Sequence, residues 1–352
     1  MRIISGIRPT GDIHLGNYLG AIRNWLNLQN KKNNQCLFFI ADYHSLTDPS
    51  MPADKKKELI EMMMIDFLAL GFDPKKSILF LQSQIDEVLA LNWIINCLMP
   101  IGELERMTQF KDKSQKQPEN VNGGLFTYPS LMAADILTFK ADAVPVGDDQ
   151  LQHLEFSREA ARRFNRVYGK TFSEPKSLIT PVSRLKSLKN PLEKMSKADP
   201  DSYIYVLDEP ENIRKKIKGA TSASNEFFEK IHFINNDFVF KVKPEYAKHE
   251  EIEKMQAAIK NLLLMYQEFC PKEFKTLLKG NEIKIEALRY SEIKTKLGEG
   301  IIKSFTPARV KKEKLLKDKK GVLRVFLEGS KKARIISKKT LKEVKEKIGL
   351  IG

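Results

Sequence analysis

The sequence predicts an α/β fold in which a doubly wound parallel sheet precedes a mostly α-helical region. Two observations predict it. In the first half short apolar runs alternate with longer stretches of helical spacing, and from about Asp208 onward the spacing is mostly helical. The first run, Arg2 to Ser5, is too short for a helix and lacks an amphipathic period, as do Cys36 to Ala41 and Ile78 to Gln82; all three read as strands. Tyr18 to Gln29 carries the first helical pattern. Ala53 to Leu70 is the second, with Asp54 near its start and Gly71 after its end, and Glu87 to Leu98 is the third. Strand, helix, strand, helix builds a parallel sheet covered on both faces. In the second half Lys254 to Glu268 and Lys331 to Ile348 are the clearest helices. Ser224 to Glu250 breaks the pattern: an aromatic run from Phe233 to Phe240 surrounds Asn235-Asn236-Asp237, a turn cluster able to join two short strands. No functional reading attaches to that segment.

With 352 residues the chain has room for about two domains. Its 42% hydrophobic content is ample for a buried core, which excludes disordered, collagen-like and coiled-coil classes. The longest apolar stretches, such as Met62 to Leu70 and Leu262 to Met265, are short or broken by Asp66. A membrane span needs roughly 18 apolar residues, so no crossing is expected. No basic region followed by an apolar run and a small-residue cleavage site opens the chain, so no secretion signal is expected. Cys36, Cys97 and Cys270 are odd in number, far apart and without a Cys-x-x-Cys pair. They point to a reducing compartment, hence the cytoplasm, and to neither a disulfide framework nor a cysteine metal site. The chain carries 60 Lys and Arg against 45 Asp and Glu, and residues 301–352 alone hold 17 basic against 5 acidic side chains. The basic character therefore belongs to the C-terminal end, where it suits a polyphosphate backbone or forms a solvated lysine-rich helix face.

In a doubly wound sheet, ligands bind where strand ends meet helix starts. The first such junction reads Ser5-Gly6-Ile7-Arg8-Pro9-Thr10-Gly11-Asp12-Ile13-His14-Leu15-Gly16-Asn17. Gly6, Gly11 and Gly16 let backbone approach a ligand closely, the helix start offers N–H groups to an anion, and His14 is placed to donate to a phosphate oxygen. Neither Gly-x-Gly-x-x-Gly nor Gly-x-x-x-x-Gly-Lys-Ser/Thr occurs there, so dinucleotide and P-loop readings are unsupported. A second segment, Leu192-Glu193-Lys194-Met195-Ser196-Lys197-Ala198-Asp199-Pro200, sets two lysines in a loop bounded by Pro191 and Pro200. Such a loop is able to close over a triphosphate; by composition alone it is an ordinary solvated lysine loop. Asp135 stands between Leu131-Met132-Ala133-Ala134 and Ile136-Leu137. A carboxylate in that setting needs a donor, either a local one, as a cap or an ion pair, or one supplied by a ligand.

Taken together, the junction and the lysine loop resemble the HIGH and KMSKS motifs of class I aminoacyl-tRNA synthetases, in the expected order and about 180 residues apart. Three further stretches are similar to the tryptophanyl branch of that class: Ile101-Gly102-Glu103-Leu104-Glu105-Arg106-Met107-Thr108-Gln109-Phe110-Lys111, then Tyr128-Pro129-Ser130 through Asp135-Ile136-Leu137, then Pro145-Val146-Gly147-Asp148-Asp149-Gln150. The resemblance covers residues 1–220 and resumes more weakly from about Lys260 to the end, where Gly329-Ser330-Lys331-Lys332-Ala333-Arg334 and the helix after it are similar to the family's usual terminus. Ser224 to Ala258 finds little match and reads as an insertion.

The resemblance implies a Rossmann-like catalytic domain over residues 1–207, including the 194–198 loop, and a mostly helical tRNA anticodon-binding domain over 208–352, with the insertion around 224–258. It implies activation of L-tryptophan by ATP to tryptophanyl-adenylate and pyrophosphate, then transfer to the terminal ribose of tRNA(Trp). His14, Asn17, Lys111, Lys194 and Lys197 would carry catalysis by positioning ATP and neutralising the departing pyrophosphate. Arg8, Pro9, Thr10, Gly16, Gly147, Asp148, Asp149, Gln150, Leu185, Met195, Ser196 and Ala198 would complete the ATP site. Asp135 would accept the indole N–H, with Met132, His44, Tyr128, Val144 and Val146 around the amino acid. Magnesium would arrive with ATP, since it favours phosphate oxygens and water over an all-protein cage. A homodimer is implied, and no membrane.

Two positions depart from the family pattern. Ala198 replaces the final serine of KMSKS, removing a hydroxyl donor while both lysines remain, and Arg8 stands where many relatives carry Gln. Three alternatives stand beside this reading. A tyrosyl-tRNA synthetase of the same subclass differs, in its bacterial form, in all three stretches. A cofactor nucleotidyltransferase of the same superfamily would not need so large a basic helical extension. A non-catalytic RNA-binding homologue would show loss of His14 or of the paired lysines, and all are present.

Overall fold

The computed structural model describes residues 1–116, 118–147, 150–179, 185–195, 199–222 and 224–351, with the side chains at 113, 116 and 120 also outside the description. The three apolar runs of the first half become strands β1 (Arg2–Ile7), β2 (Gln35–Ile40) and β3 (Ser77–Leu81). With β4 (Ala143–Val146) and β5 (Lys176–Ile179) they form a parallel sheet in the order β3-β2-β1-β4-β5. Burial explains their composition: Ile3, Ile4, Leu37, Phe38, Leu79 and Phe80 all lie in the core, as strands covered on both faces require. β4 and β5 are not among the strands expected from sequence. Each has only four residues, and Pro145 within β4 cannot donate to the ladder.

The sheet contains its own ligand-binding crevice. β1 and β2 stay in register from Arg2–Gln35 to Ile7–Ile40, whereas β1 and β4 pair only at Ile3 and Ala143. Strand order reverses between β1 and β4, and the carboxyl ends beyond a reversal diverge to leave a cleft.

The helices follow the expected patterns with local differences. Ala53–Leu70 carries Asp54 in its first turn and stops at Gly71, whose φ of 110° lies in the left-handed region. The third predicted helix spans Asp86–Leu98. Tyr18 to Gln29 is not uniform: a short helix Leu15–Asn17 leads into a π-helical turn at Tyr18–Ile22 and then Arg23–Gln29.

Packing divides the chain into two compact units, one comprising residues 1–11, 20–182 and 312–352 and the other residues 12–19 and 183–311. These units are not contiguous in sequence, unlike a division after residue 207, because the last helix, Lys319–Ile348, packs with the parallel sheet. It lies along β3, the sheet edge, where the Leu81 N–H donates to Ser330 Oγ at 3.4 Å. Covering an edge removes a site for unwanted strand pairing. Gly329 permits this approach, since a Cβ there would stand 1.8 Å from the Leu79 carbonyl oxygen. Gly329→Ala is therefore expected to lower stability by about 1–3 kcal/mol through overpacking, read as a lower midpoint in thermal unfolding. An unchanged midpoint would mean that the helix does not sit against β3.

The second unit holds an antiparallel sheet inside the mostly helical region: β6 (Phe228–Ile234), β7 (Asp237–Val242), β8 (Leu278–Lys279) and β9 (Glu282–Lys284), in the order β7-β6-β9-β8. The Asn235-Asn236 cluster is the hairpin turn between β6 and β7, with φ of 51° and 59°, the left-handed pair that two-residue hairpins use. Helices Pro210–Lys218, Ile252–Phe269, Pro271–Leu277 and most of Tyr290–Lys317 belong to the same unit. Among the described residues no helix is long and apolar enough to cross a membrane.

Candidate active site

A cavity of about 330 Å³ opens in the first unit at the carboxyl ends of β1, β2 and β4. Residues 4–7 of β1 and Arg8 after it line the cavity, with Phe39, Ala41 and His44 from β2 and the turn after it, and residues 144–146 of β4 with Gly147 after it. Gly6 is required for this wall: a Cβ there would fall 2.4 Å from the Phe39 ring. A further wall is the helix Gly123–Leu137, which starts where Asn122 Oδ1 accepts the Leu125 N–H at 2.9 Å, and Ala21, Trp25, Thr47, Gln109 and Gln150 complete the lining. Tyr128, Met132 and Asp135 are spaced by four and three residues, which places them on one helical face, and that face lines the cavity.

Asp135 is 3% exposed, and its carboxylate is held from behind. Gln82 Nε2 donates to both oxygens at 2.8 and 2.9 Å, and His44 Nε2 donates to Oδ2 at 2.9 Å. His44 belongs to the turn after β2 and Gln82 to the turn after β3, so two strand ends converge on one acid. Burial pushes the Asp135 carboxyl above its usual range, and the hydrogen bonds from His44 and Gln82 pull in the opposite direction. Next to this network Asp42 accepts the Ser83 N–H at 2.9 Å and the Ser83 hydroxyl at 2.5 Å, tying the two turns together.

Tyr128 is the second polar wall. Its hydroxyl lies 2.8 Å from Nε2 of the fully buried His153 and donates to Gln109 Oε1 at 3.3 Å. Burial pushes the phenol up to about 12, so it stays a neutral hydroxyl at physiological pH.

The junction histidine and the lysine loop belong to the second unit. His14 Nδ1 accepts the Asn17 N–H at 3.1 Å and caps the Leu15–Asn17 turn. That bond assigns the ring proton to Nε2, the atom then able to donate to an anion. The junction is fixed from both sides by Leu15 N–H to Ile204 O at 2.9 Å and Val206 N–H to Ile13 O at 3.0 Å. Asn17 Oδ1 is buried without a hydrogen-bond partner among the described residues. Leu185 and Met195 are buried anchors, and Lys194 is exposed beside Met195, its backbone paired with that of Lys186.

Of the residues singled out from sequence, the cavity brings together Arg8, His44, Tyr128, Met132, Asp135, Val144, Val146, Gly147 and Gln150. Pro9 and Thr10 form the turn after β1, closed by Thr10 N–H to Arg8 O at 2.9 Å, and are not among its lining residues. Lys111 is exposed on the helix Thr108–Lys116 and does not line it either. Gly16 lies within the His14 turn of the second unit. Asp148, Asp149, Ser196, Lys197 and Ala198 lie outside the described residues. Sequence reasoning missed Gln82 and Gln109. The only signal for Gln82 is its place just after a strand, and Gln109 sits unremarked inside the stretch ending at Lys111.

Comparison with known proteins places this geometry in context. The family model described as tRNA synthetases class I (W and Y) matches residues 1–292. A tryptophan–tRNA ligase of Wolinella succinogenes is 42% identical over 353 residues, covering 99% of each chain, and one of Caldanaerobacter subterraneus is 40% identical over 354 residues, covering 99% of this chain and 98% of that one. The crystal structure of a Campylobacter jejuni tryptophanyl-tRNA synthetase complexed with ADP and tryptophan superposes with a TM-score of 0.78 at 32% identity, covering 99% of this chain and 100% of that one.

Proposed function

Because the chain belongs to the class I tRNA synthetases of the tryptophan and tyrosine family, we propose that it is a tryptophan–tRNA ligase. The observation that carries this reading is the buried Asp135 carboxylate on the wall of an apolar cavity, with two donors fixed behind it. Facing the cavity, it is placed to accept the N–H of an indole. Met132, Val144 and Val146 supply an apolar wall for a ring of that size.

In the first step a carboxylate oxygen of tryptophan attacks the α-phosphorus of ATP, the bond to the bridging oxygen breaks, and pyrophosphate leaves. Little covalent work falls to the protein, so positioning and charge carry the rate. His14 donates through Nε2 and Asn17 accepts through Oδ1 near the helix start. Lys111, Lys194 and Lys197 meet the growing negative charge on the leaving group. Gly147, Asp148, Asp149 and Gln150 take the adenosine portion, with the remaining residues around the junction and the loop completing the nucleotide site. ATP enters with magnesium, held by phosphate oxygens and water. In the second step a ribose hydroxyl of tRNA(Trp) attacks the adenylate carbonyl and AMP departs.

The surplus of basic side chains in residues 301–352 supports the RNA partner. A second copy of the chain is proposed as the other partner, supported by Trp93 and Ile101, which are 70% and 65% exposed in the first unit. The free cysteines Cys36, Cys97 and Cys270 support a reducing, cytoplasmic location. The test is ATP–pyrophosphate exchange with each amino acid in turn: exchange driven by tryptophan supports the reading, and exchange driven by tyrosine in its place overturns it.

A further inference from the structure

Resting on the tryptophan reading, we propose that Gln82 is a positioning residue for indole recognition, holding the Asp135 carboxylate so that Oδ1 keeps an acceptor site for the ring N–H. Gln82 is the first residue of the turn after β3, is fully buried, and is not among the residues lining the cavity. It therefore acts on a ligand through Asp135 and not by contact. Its amide has one workable orientation. Oε1 accepts the His44 backbone N–H at 3.4 Å, and an amide oxygen turned toward the acid would meet an acceptor-only group, so Nε2 faces the carboxylate. The backbone around it is anchored: the Gln82 carbonyl accepts the Ile85 N–H at 3.0 Å, and Ser83 is tied to Asp42.

The hydrogen bonds divide unevenly between the two carboxylate oxygens. Nε2 stands 2.8 Å from Oδ1 and 2.9 Å from Oδ2, midway between them, while His44 adds a bond to Oδ2 alone. Among the described residues Oδ2 thus has two donors and Oδ1 one, whereas an ionised carboxylate offers about two acceptor sites on each oxygen. The unused site is on Oδ1. A nitrogen shared by both oxygens also restrains rotation about the Cβ–Cγ bond, a torsion that is otherwise broad and roughly two-fold. Without Gln82 the acid would be held by His44 alone and free to turn about that bond, and a buried carboxylate short of donors takes up a proton. Either change removes an oriented anion from the indole N–H. A glutamine that merely satisfied a buried acid would instead affect stability and leave selectivity untouched.

The test is equilibrium binding without ATP, using tryptophan and benzothienylalanine, which carries sulfur in place of the indole N–H, on wild type, Gln82→Met and Gln82→Asn. Wild type is expected to prefer tryptophan. Gln82→Met keeps the length of the side chain and removes the donor. It should weaken tryptophan about 10- to 100-fold, the scale of one charge-assisted hydrogen bond, and leave benzothienylalanine within about twofold. Gln82→Asn withdraws the amide by one methylene and should lose the same preference, which decides the matter if Gln82→Met fails to fold. Equal weakening of both probes, in step with a lower unfolding midpoint, makes Gln82 a structural residue and overturns the proposal, as does unchanged selectivity. In wild type, equal affinity for the two probes overturns the N–H contact at Asp135 and this role with it, whereas binding of neither overturns the tryptophan reading itself.

Discussion

Asp135→Ala is expected to abolish the preference for tryptophan over phenylalanine, a loss on the order of 10⁴ in the ratio of kcat/KM values. Such a ratio is attainable because the carboxylate, with about four acceptor sites and three hydrogen bonds from Gln82 and His44, keeps one acceptor for a ligand. In the proposed reading the indole N–H of tryptophan reaches the carboxylate, whereas phenylalanine would leave a buried charge facing a ring that cannot donate. The substitution also strands Gln82 Nε2 and His44 Nε2, both aimed at the missing carboxylate. A buried donor without a partner costs about 1–3 kcal/mol, so a lower unfolding midpoint should accompany the loss of discrimination. ATP binding should survive, which separates the effect from unfolding. Unchanged discrimination would remove Asp135 from the role assigned to it.

The same residue sets a pH dependence whose sign differs for binding and for folding. Burial raises the Asp135 carboxyl above the value of an exposed aspartate. As pH falls from neutral, the carboxyl therefore takes up a proton at a higher pH than a surface carboxylate does, and tryptophan affinity should drop in that window. For folding the direction is reversed. The native state holds the proton more tightly than the unfolded chain, so this group favours folding below the unfolded value and loses that contribution as pH rises through the native one. The acid serves recognition at some expense of stability.

Lys194→Ala is expected to lower the rate of adenylate formation by about 10²- to 10³-fold, the usual effect of removing one donor from developing transition-state charge. Lys194 is exposed, has no ion pair with a described residue, and sits beside the buried Met195 that anchors the loop. In the proposed mechanism its charge serves the departing pyrophosphate, and losing it should leave tryptophan binding in the absence of ATP intact. Lys194→Arg should retain part of the rate. Exchange kinetics together with tryptophan titration read both quantities, and equal losses in each would assign Lys194 a structural role.

Asp135 was legible in the sequence because an acid among Leu131, Met132, Ala133, Ala134, Ile136 and Leu137 demands an explanation. Gln82 was not, because a glutamine after a strand looks like any other turn residue until β2 and β3 bring His44 and Gln82 to the same carboxylate. The turn at Asn235-Asn236 was legible because left-handed backbone selects asparagine locally. β4 escaped notice because four residues containing Pro145 carry no period long enough to read.

The chain by itself determined three of the five strands of its parallel sheet, its major helices and the residue types at those strand ends, since these depend on spacing and neighbours within one segment. Tertiary structure alone decided which strand ends meet: the divergence of β1 from β4, the triad of Gln82, His44 and Asp135, and the seat of Gly329 against Leu79. Each joins residues from separate segments, and such contacts arise from packing in three dimensions, which no local pattern encodes.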